Sequence, residues 1–238
     1  MRHQLLVVLG LSTAMAVVGC TQATNGLDRY HPPPTVAHHA SVVSLIDFSW
    51  SNGPKGIDVG KGVSKGIPRE LNRGSAFWVL RVDAHSGTDQ NMLVPNLIPQ
   101  GKLDGQLDLE LMRARRDIAA MLDRVPSEPT SDAGTDYGEA LNKSAELLGT
   151  VDAGTPRIVV IVGDLSDQPP ARLTQYAAPF PKGTRAILIP IVNDVNTYRA
   201  SVANMKDMLG RRGISNVTVI DAANLQAPGF DVLGDSSR

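Results

Sequence analysis

Four short runs of aliphatic and β-branched residues constrain this chain more than any other feature: Ser41–Asp47 (SVVSLID), Ala76–Val82 (AFWVLRV), Arg157–Val162 (RIVVIV) and Ala186–Val192 (AILIPIV). Each sets apolar side chains at adjacent positions, so a strand built from it must be covered on both faces. Helical stretches fall between the runs, as that covering requires. In Leu107–Val125 the residues Leu107, Leu111, Ala114, Ile118, Met121 and Leu122 recur at helical spacing, with arginines on the other face and Pro126 as the stop. Tyr137–Leu148 carries Leu141, Ala145 and Leu148 on one stripe, Thr197–Arg211 reads as a further helix, and Val217–Ile220 (VTVI) closes the series. Asn91–Ile98 (NMLVPNLI) reads as a strand that Pro95 pushes to a sheet edge, hairpin-paired with Ala76–Val82. The expected fold is α/β: a doubly wound, mostly parallel central sheet with helices on both faces and one antiparallel edge strand.

Two stretches resist this pattern. Ser51 to Gly66 is rich in Gly and Lys and reads as a long loop, with a helical tendency only towards Leu71. Lys55, Lys61 and Lys65 are then expected in solvent, where they could steer an acidic partner. Its GIDVGKG segment lacks the spacing and the hydroxyl of a phosphate loop. The chain after Asp221, with Gly, Pro, Ser and Asp, reads as a loose tail.

The first twenty residues read as an address. Met1, Arg2 and His3 precede an apolar run from Leu5 to Val18, and Gly19 and Cys20 follow. That order is the order of a secretory signal, and the run is short for a membrane span. Val17-Val18-Gly19-Cys20 resembles the lipobox of bacterial lipoproteins, whose cysteine becomes the acylated first residue of the mature chain. Cys20 is the only cysteine, so neither a disulfide framework nor a CxxC metal site is available. Acyl chains on Cys20 would anchor the protein to a membrane at ~0.8 kcal/mol per buried CH₂. Thr21 is not the aspartate that resembles an inner-membrane retention signal, so the expected location is the cell envelope, on the outer membrane facing the periplasm. From Thr21 to His39 the chain is polar and centred on Pro32-Pro33-Pro34, a composition that favours extended polyproline conformation. The expected organisation is a lipoprotein signal peptide at 1–19, a lipidated cysteine and tether at 20–40, one domain at 41–221 and a C-terminal tail at 222–238.

Composition removes one class of partner. Aromatic residues make up 4% of the chain and the formal charge is −1, which leaves neither stacking platforms nor a basic footprint. Nucleic acid is not an expected ligand.

The chemistry gathers at strand ends, where ligands of open α/β sheets bind. Asp47-Phe48-Ser49-Trp50-Ser51 follows the first strand, Asp164 follows the strand 157–162, and Thr135 lies in the loop that opens a helix at Tyr137. Alternate residues of an extended segment point to one side, so Asp47, Ser49 and Ser51 can converge. Carboxylates and hydroxyls are hard ligands suited to Mg²⁺, Mn²⁺ or Ca²⁺, whereas zinc would want His or Cys. DFSWS resembles the D-x-S-x-S of the metal-ion-dependent adhesion site of von Willebrand factor A (VWA) domains. GTDYGEAL is similar to that family's threonine loop and following helix, and VVIVGD to its third ligand strand. The resemblance spans roughly residues 41 to 221. It implies that Ser49, Ser51 and Thr135 contact the metal directly, that Asp47 and Asp164 act partly through water, and that the function is protein binding rather than catalysis. The partner would then supply a carboxylate to the free metal position. The chain departs from the family at Trp50, where Gly is frequent, and at Gly163, where Thr is frequent.

Two other readings stand beside this one. Asp47 could be the nucleophile of a metal-dependent phosphohydrolase, although that chemistry wants a second carboxylate two residues on, where Ser49 stands. The chain could also be a scaffold lipoprotein without metal. His85 has no serine and acid in a recognisable hydrolase order, and Asp164 with Asp167 suits a metal loop better than an acid/base pair.

Overall fold

The computed structural model describes residues 38–101, 108–130, 134–166, 177–192, 194–226 and 232–234. The signal segment, Cys20, the tether up to residue 37 and Asp167 lie outside the described residues.

The apolar runs form strands β1 (Ser41–Asp47), β2 (Ala76–Val82), β4 (Arg157–Gly163) and β5 (Arg185–Pro190), with short strands β3 (Met92–Val94) and β6 (Val217–Val219). Among the described residues these six make one sheet in the order β3-β2-β1-β4-β5-β6. Neighbours are parallel except β2 and β3, so the antiparallel edge stands where Pro95 placed it. Every residue of β1 and β4 is buried, as strands covered on both faces must be. The chain winds outwards from β1 through β2 to β3, then restarts beside β1 with β4. The β1/β4 junction is thus the point where strand order reverses.

Side-chain parity divides the core. Val42 and Ile46 of β1, with Ile158, Val160 and Val162 of β4, face helices α1 (Gly53–Glu70) and α2 (Leu109–Arg124). Val43 and Leu45, with Val159 and Ile161, face α3 (Tyr137–Gly149) and α4 (Val195–Arg211). Asp47 shares the parity of Val43 and Leu45, so its carboxylate is delivered to the α3 face.

The structure corrects the loop expected after Ser51: residues 53–70 form an eighteen-residue helix. Two of its glycines, Gly56 and Gly60, are contact positions rather than breakers. A Cβ on Gly60 would lie 2.5 Å from Ile46 Cγ2, and one on Gly56 would lie 2.1 Å from Asn52 Oδ1. Ser64, one turn on, shares a 2.8 Å hydrogen bond with Ser44 of β1. Gly56, Gly60 and Ser64 therefore form a small-residue stripe that seats α1 directly on β1. The lysines are corrected with it. Lys61 is buried and donates to Val125 O at 2.8 Å and Ser127 Oγ at 2.9 Å, and Lys65 pairs with Asp123. Of the three, Lys55 alone is exposed.

The tail also differs from the loose segment expected. Val232 and Leu233 are buried in the α1/α2 layer, and their N–H groups donate to the Glu70 carboxylate at 3.2 and 2.9 Å. Arg185 donates to Leu233 O at 2.8 Å. Two apolar residues between polar neighbours carry no periodicity, which is why the sequence did not reveal this contact.

Candidate metal centre

β1 ends in Asp47 at the strand-order reversal, and Asp164 follows β4 beside it. Asp47 has no exposed surface, and Ser49, Thr135 and Asp164 are also buried. The D-x-S-x-S loop is pinned along its length. Phe48 N donates to Val82 O at 2.9 Å, and Thr130 N donates to Phe48 O at 2.9 Å. Ser49 N donates to Asp47 Oδ1 at 2.8 Å, and the hydroxyls of Ser49 and Ser51 lie 3.1 Å apart. Asn52 Nδ2 closes the turn on Asp47 O at 2.6 Å, immediately before α1 begins. Asp47, Ser49 and Ser51 thus come together as the spacing suggested, through a tight turn rather than continued extension.

The threonine loop reaches the same end of the sheet. Asp136 N donates to Asp83 O, just beyond β2, at 3.0 Å, and the Asp136 carboxylate caps α3 through Glu139 N at 2.9 Å. Thr135 precedes that cap. Two residues on, Tyr137 is fully buried and its hydroxyl donates to Asp47 Oδ2 at 3.1 Å. Asp164 folds back so that its Oδ1 accepts from Ser166 N at 2.8 Å. Between them Leu165 takes φ 60°, a left-handed conformation costing about 1–3 kcal/mol for a non-glycine residue, held by complete burial of its side chain.

Tyr137 and Gly163 are site residues that sequence reasoning missed. A Cβ at Gly163 would meet Asp47 Cβ at 2.4 Å and Tyr137 Oη at 2.6 Å. The space beside Asp47 is thus filled by the tyrosine hydroxyl, and glycine is the residue that admits it. The departure noted at Gly163 was the available signal: a missing side chain beside a buried carboxylate asks what occupies its place.

Electrostatics point to a missing positive charge. Burial raises the Asp47 carboxyl from its ordinary value to about 7, and the nearby Asp164 charge adds to the rise. The Ser49 and Tyr137 hydrogen bonds oppose the shift without cancelling it. Burial, then the two carboxylates, push the Tyr137 hydroxyl well above its ordinary range, so it remains a donor. Among the described residues no lysine, arginine or histidine forms an ion pair with Asp47 or Asp164.

The donor set fits a hard divalent cation. No group of three His, Cys, Asp or Glu side chains occurs among the described residues, so a zinc-type cage is not what these residues build. Adjacent oxygens around octahedral Mg²⁺ stand about 2.9 Å apart, and around Ca²⁺ about 3.5 Å, given their ordinary metal–oxygen distances. The Ser49–Ser51 separation of 3.1 Å lies nearer the smaller ion.

No protein-family model matches the sequence, and no curated protein matches it. Solved structures do. An aerotolerance-related membrane protein from Bacteroides fragilis superposes with a TM-score of 0.50 at 12% identity, covering 78% of this chain and 94% of that one. Proximal thread matrix protein 1 from the mussel byssus gives a TM-score of 0.47 at 18% identity, covering 81% of this chain and 46% of that one. This chain therefore spans under half the length of the mussel protein. At 12% identity the likeness to the Bacteroides protein is one of fold. Together with the mostly parallel six-stranded sheet, its antiparallel edge and its helices on both faces, it makes this domain VWA-like in fold.

Proposed function

We propose that this protein is an envelope-anchored binding module that holds Mg²⁺, or Mn²⁺ or Ca²⁺, at Asp47, Ser49, Ser51, Thr135 and Asp164 and grips an acidic residue of a protein partner there. The observation that carries the reading is the pair of buried carboxylates, Asp47 and Asp164, beside two hydroxyls 3.1 Å apart, with no lysine, arginine or histidine among the described residues paired with either carboxylate. A dication removes that repulsion.

The residues divide the work by charge. Ser49, Ser51 and Thr135 offer oxygen without adding charge. Both oxygens of Asp47 are engaged, by Ser49 N and Tyr137 Oη, which suits a carboxylate acting through water. A metal held largely by neutral oxygens keeps enough charge to accept an anionic ligand in its free position. Ser49 stands where a phosphohydrolase of that kind wants its second carboxylate, which disfavours Asp47 as its nucleophile. The domain is read as a binding protein rather than an enzyme. Acylation at Cys20 would hold it on the outer membrane, facing the periplasm.

Calorimetric titration of metal-free protein tests the centre. Mg²⁺ should give binding heat that Asp47→Ala abolishes, with unchanged circular dichroism; equal heat in the variant would overturn the assignment. A partner captured from the native envelope should leave in EDTA and return with Mg²⁺. Thr135→Ala should weaken that partner at least tenfold while Thr135→Ser is mild. Capture indifferent to both would put the binding surface elsewhere on the domain.

A further inference from the structure

Trp50 is 82% exposed, while Trp78 is 8% exposed in the core. Tryptophan is on average a highly buried residue, so an indole this exposed beside the candidate metal site stands apart. Its backbone is fixed from both sides: Phe48 is tied to β2 and to Thr130, Asn52 is tied to Asp47, and Gly53 N donates to Ser49 O at 3.4 Å. The indole is therefore presented from a pinned turn. Ser49 and Ser51, whose hydroxyls are 3.1 Å apart, bracket it in the chain. Consecutive Cα atoms are about 3.8 Å apart, so the ring starts within one side-chain length of both hydroxyls. A macromolecular carboxylate that reaches those hydroxyls brings its own chain against the indole. Val195, 59% exposed, opens α4 after β5, at the same end of the sheet. β5 lies two strands from β1, about 10 Å away at ordinary strand spacing.

We infer that Trp50 is a specificity-determining residue of the metal site, and that the partner presents its acidic residue flanked by an apolar side chain that packs on the indole. The inference rests on the metal-binding reading above and adds to it the chemistry of the partner. Buried tryptophans carry a disproportionate share of interface energy when ringed by other contacts. Here the charged anchor sits at the serines and the apolar one beside it.

The test uses the full chain carrying Cys20→Ser, so that no acyl chain contributes, and two blocked tripeptide probes, Leu-Asp-Leu and Gly-Asp-Gly, in saturating Mg²⁺. Leu-Asp-Leu should bind at least about tenfold more tightly and shift indole emission to the blue. Trp50→Ala should erase that advantage and the blue shift, leaving both the Mg²⁺ titration and Gly-Asp-Gly binding as they were. Equal binding of the two peptides to a Mg²⁺-loaded protein, or an advantage that survives Trp50→Ala, would overturn the role of Trp50 and leave the metal centre standing. Absence of Mg²⁺ heat in the parent protein would take down both. A blue shift on phosphatidylethanolamine–phosphatidylglycerol vesicles in EDTA, with none on the peptides, would overturn the proposal by making Trp50 a membrane contact.

Discussion

Asp47 is where the demands of folding and of binding conflict. Its carboxyl is raised to about 7, chiefly by burial and then by Asp164, against an ordinary value of 3.8. The metal-free fold binds this proton more tightly than the unfolded chain does. The associated stability is fully present below about pH 4 and is lost as pH rises through about 7. Metal-free protein should therefore melt at a lower temperature at pH 8 than at pH 5, and Asp47→Asn should flatten that part of the dependence. Mg²⁺ at pH 8 should raise the melting temperature of the parent and leave the variant unmoved. Below pH 7 the proton competes with the cation, so Mg²⁺ affinity should fall by up to about tenfold per pH unit. A parent protein whose metal-free melting curve ignores pH from 5 to 8 would remove the charge conflict from the account. At this scale strand-end reasoning selects Asp47, Ser49, Ser51, Thr135 and Asp164 as candidate ligands, and the fold places them at the C-terminal end of the sheet. Tyr137 and Gly163 were not, because one reads as a helix start and the other as a strand end until the fold brings both onto Asp47.

Among the elements, α1 departs most from its sequence. Glycine is among the poorest helix formers, yet Gly56 and Gly60 lie on the buried face, where any side chain would strike Asn52 or Ile46. Gly62 has nothing within 4 Å of where a Cβ would stand. Gly62→Ala should accordingly stabilise the protein by about 0.5–1 kcal/mol through helix propensity. Gly60→Ala should destabilise it, because overpacking costs about 1–3 kcal/mol against that same gain. Urea denaturation of the two variants measures both signs, and a stabilising Gly60→Ala would show that Ile46 yields freely. The helix was illegible because its period is carried by small residues, which a hydrophobic pattern does not count.

For the whole molecule, the two ends of the sheet have different roles. The candidate metal centre lies at the C-terminal ends of β1 and β4. At the opposite end His38 pairs with Leu71, and Glu70 holds Val232 and Leu233. A seven-residue strand spans about 23 Å, so His38 stands well away from the candidate site. On the proposed reading, acylation and metal binding should be separable. Cys20→Ser should abolish labelling by a radioactive fatty acid and release the protein from membranes, with its Mg²⁺ affinity unchanged. Equal label in the variant would refute acylation at Cys20.

The division between sequence and tertiary structure follows from range. Burial of a strand on both faces writes itself into adjacent residues, so the sheet, its edge strand and most of the helices could be read locally. Ligand chemistry at strand ends was equally local, since D-x-S-x-S places its oxygens within one turn of chain. Contacts between distant segments decided the rest. Residue 60 is glycine because Ile46 lies beneath it, Gly163 is bare because Tyr137 fills its space, and Glu70 accepts from residues more than 160 positions away. No local pattern records such contacts, because the free energy that selects each residue belongs to a neighbour supplied only by the fold.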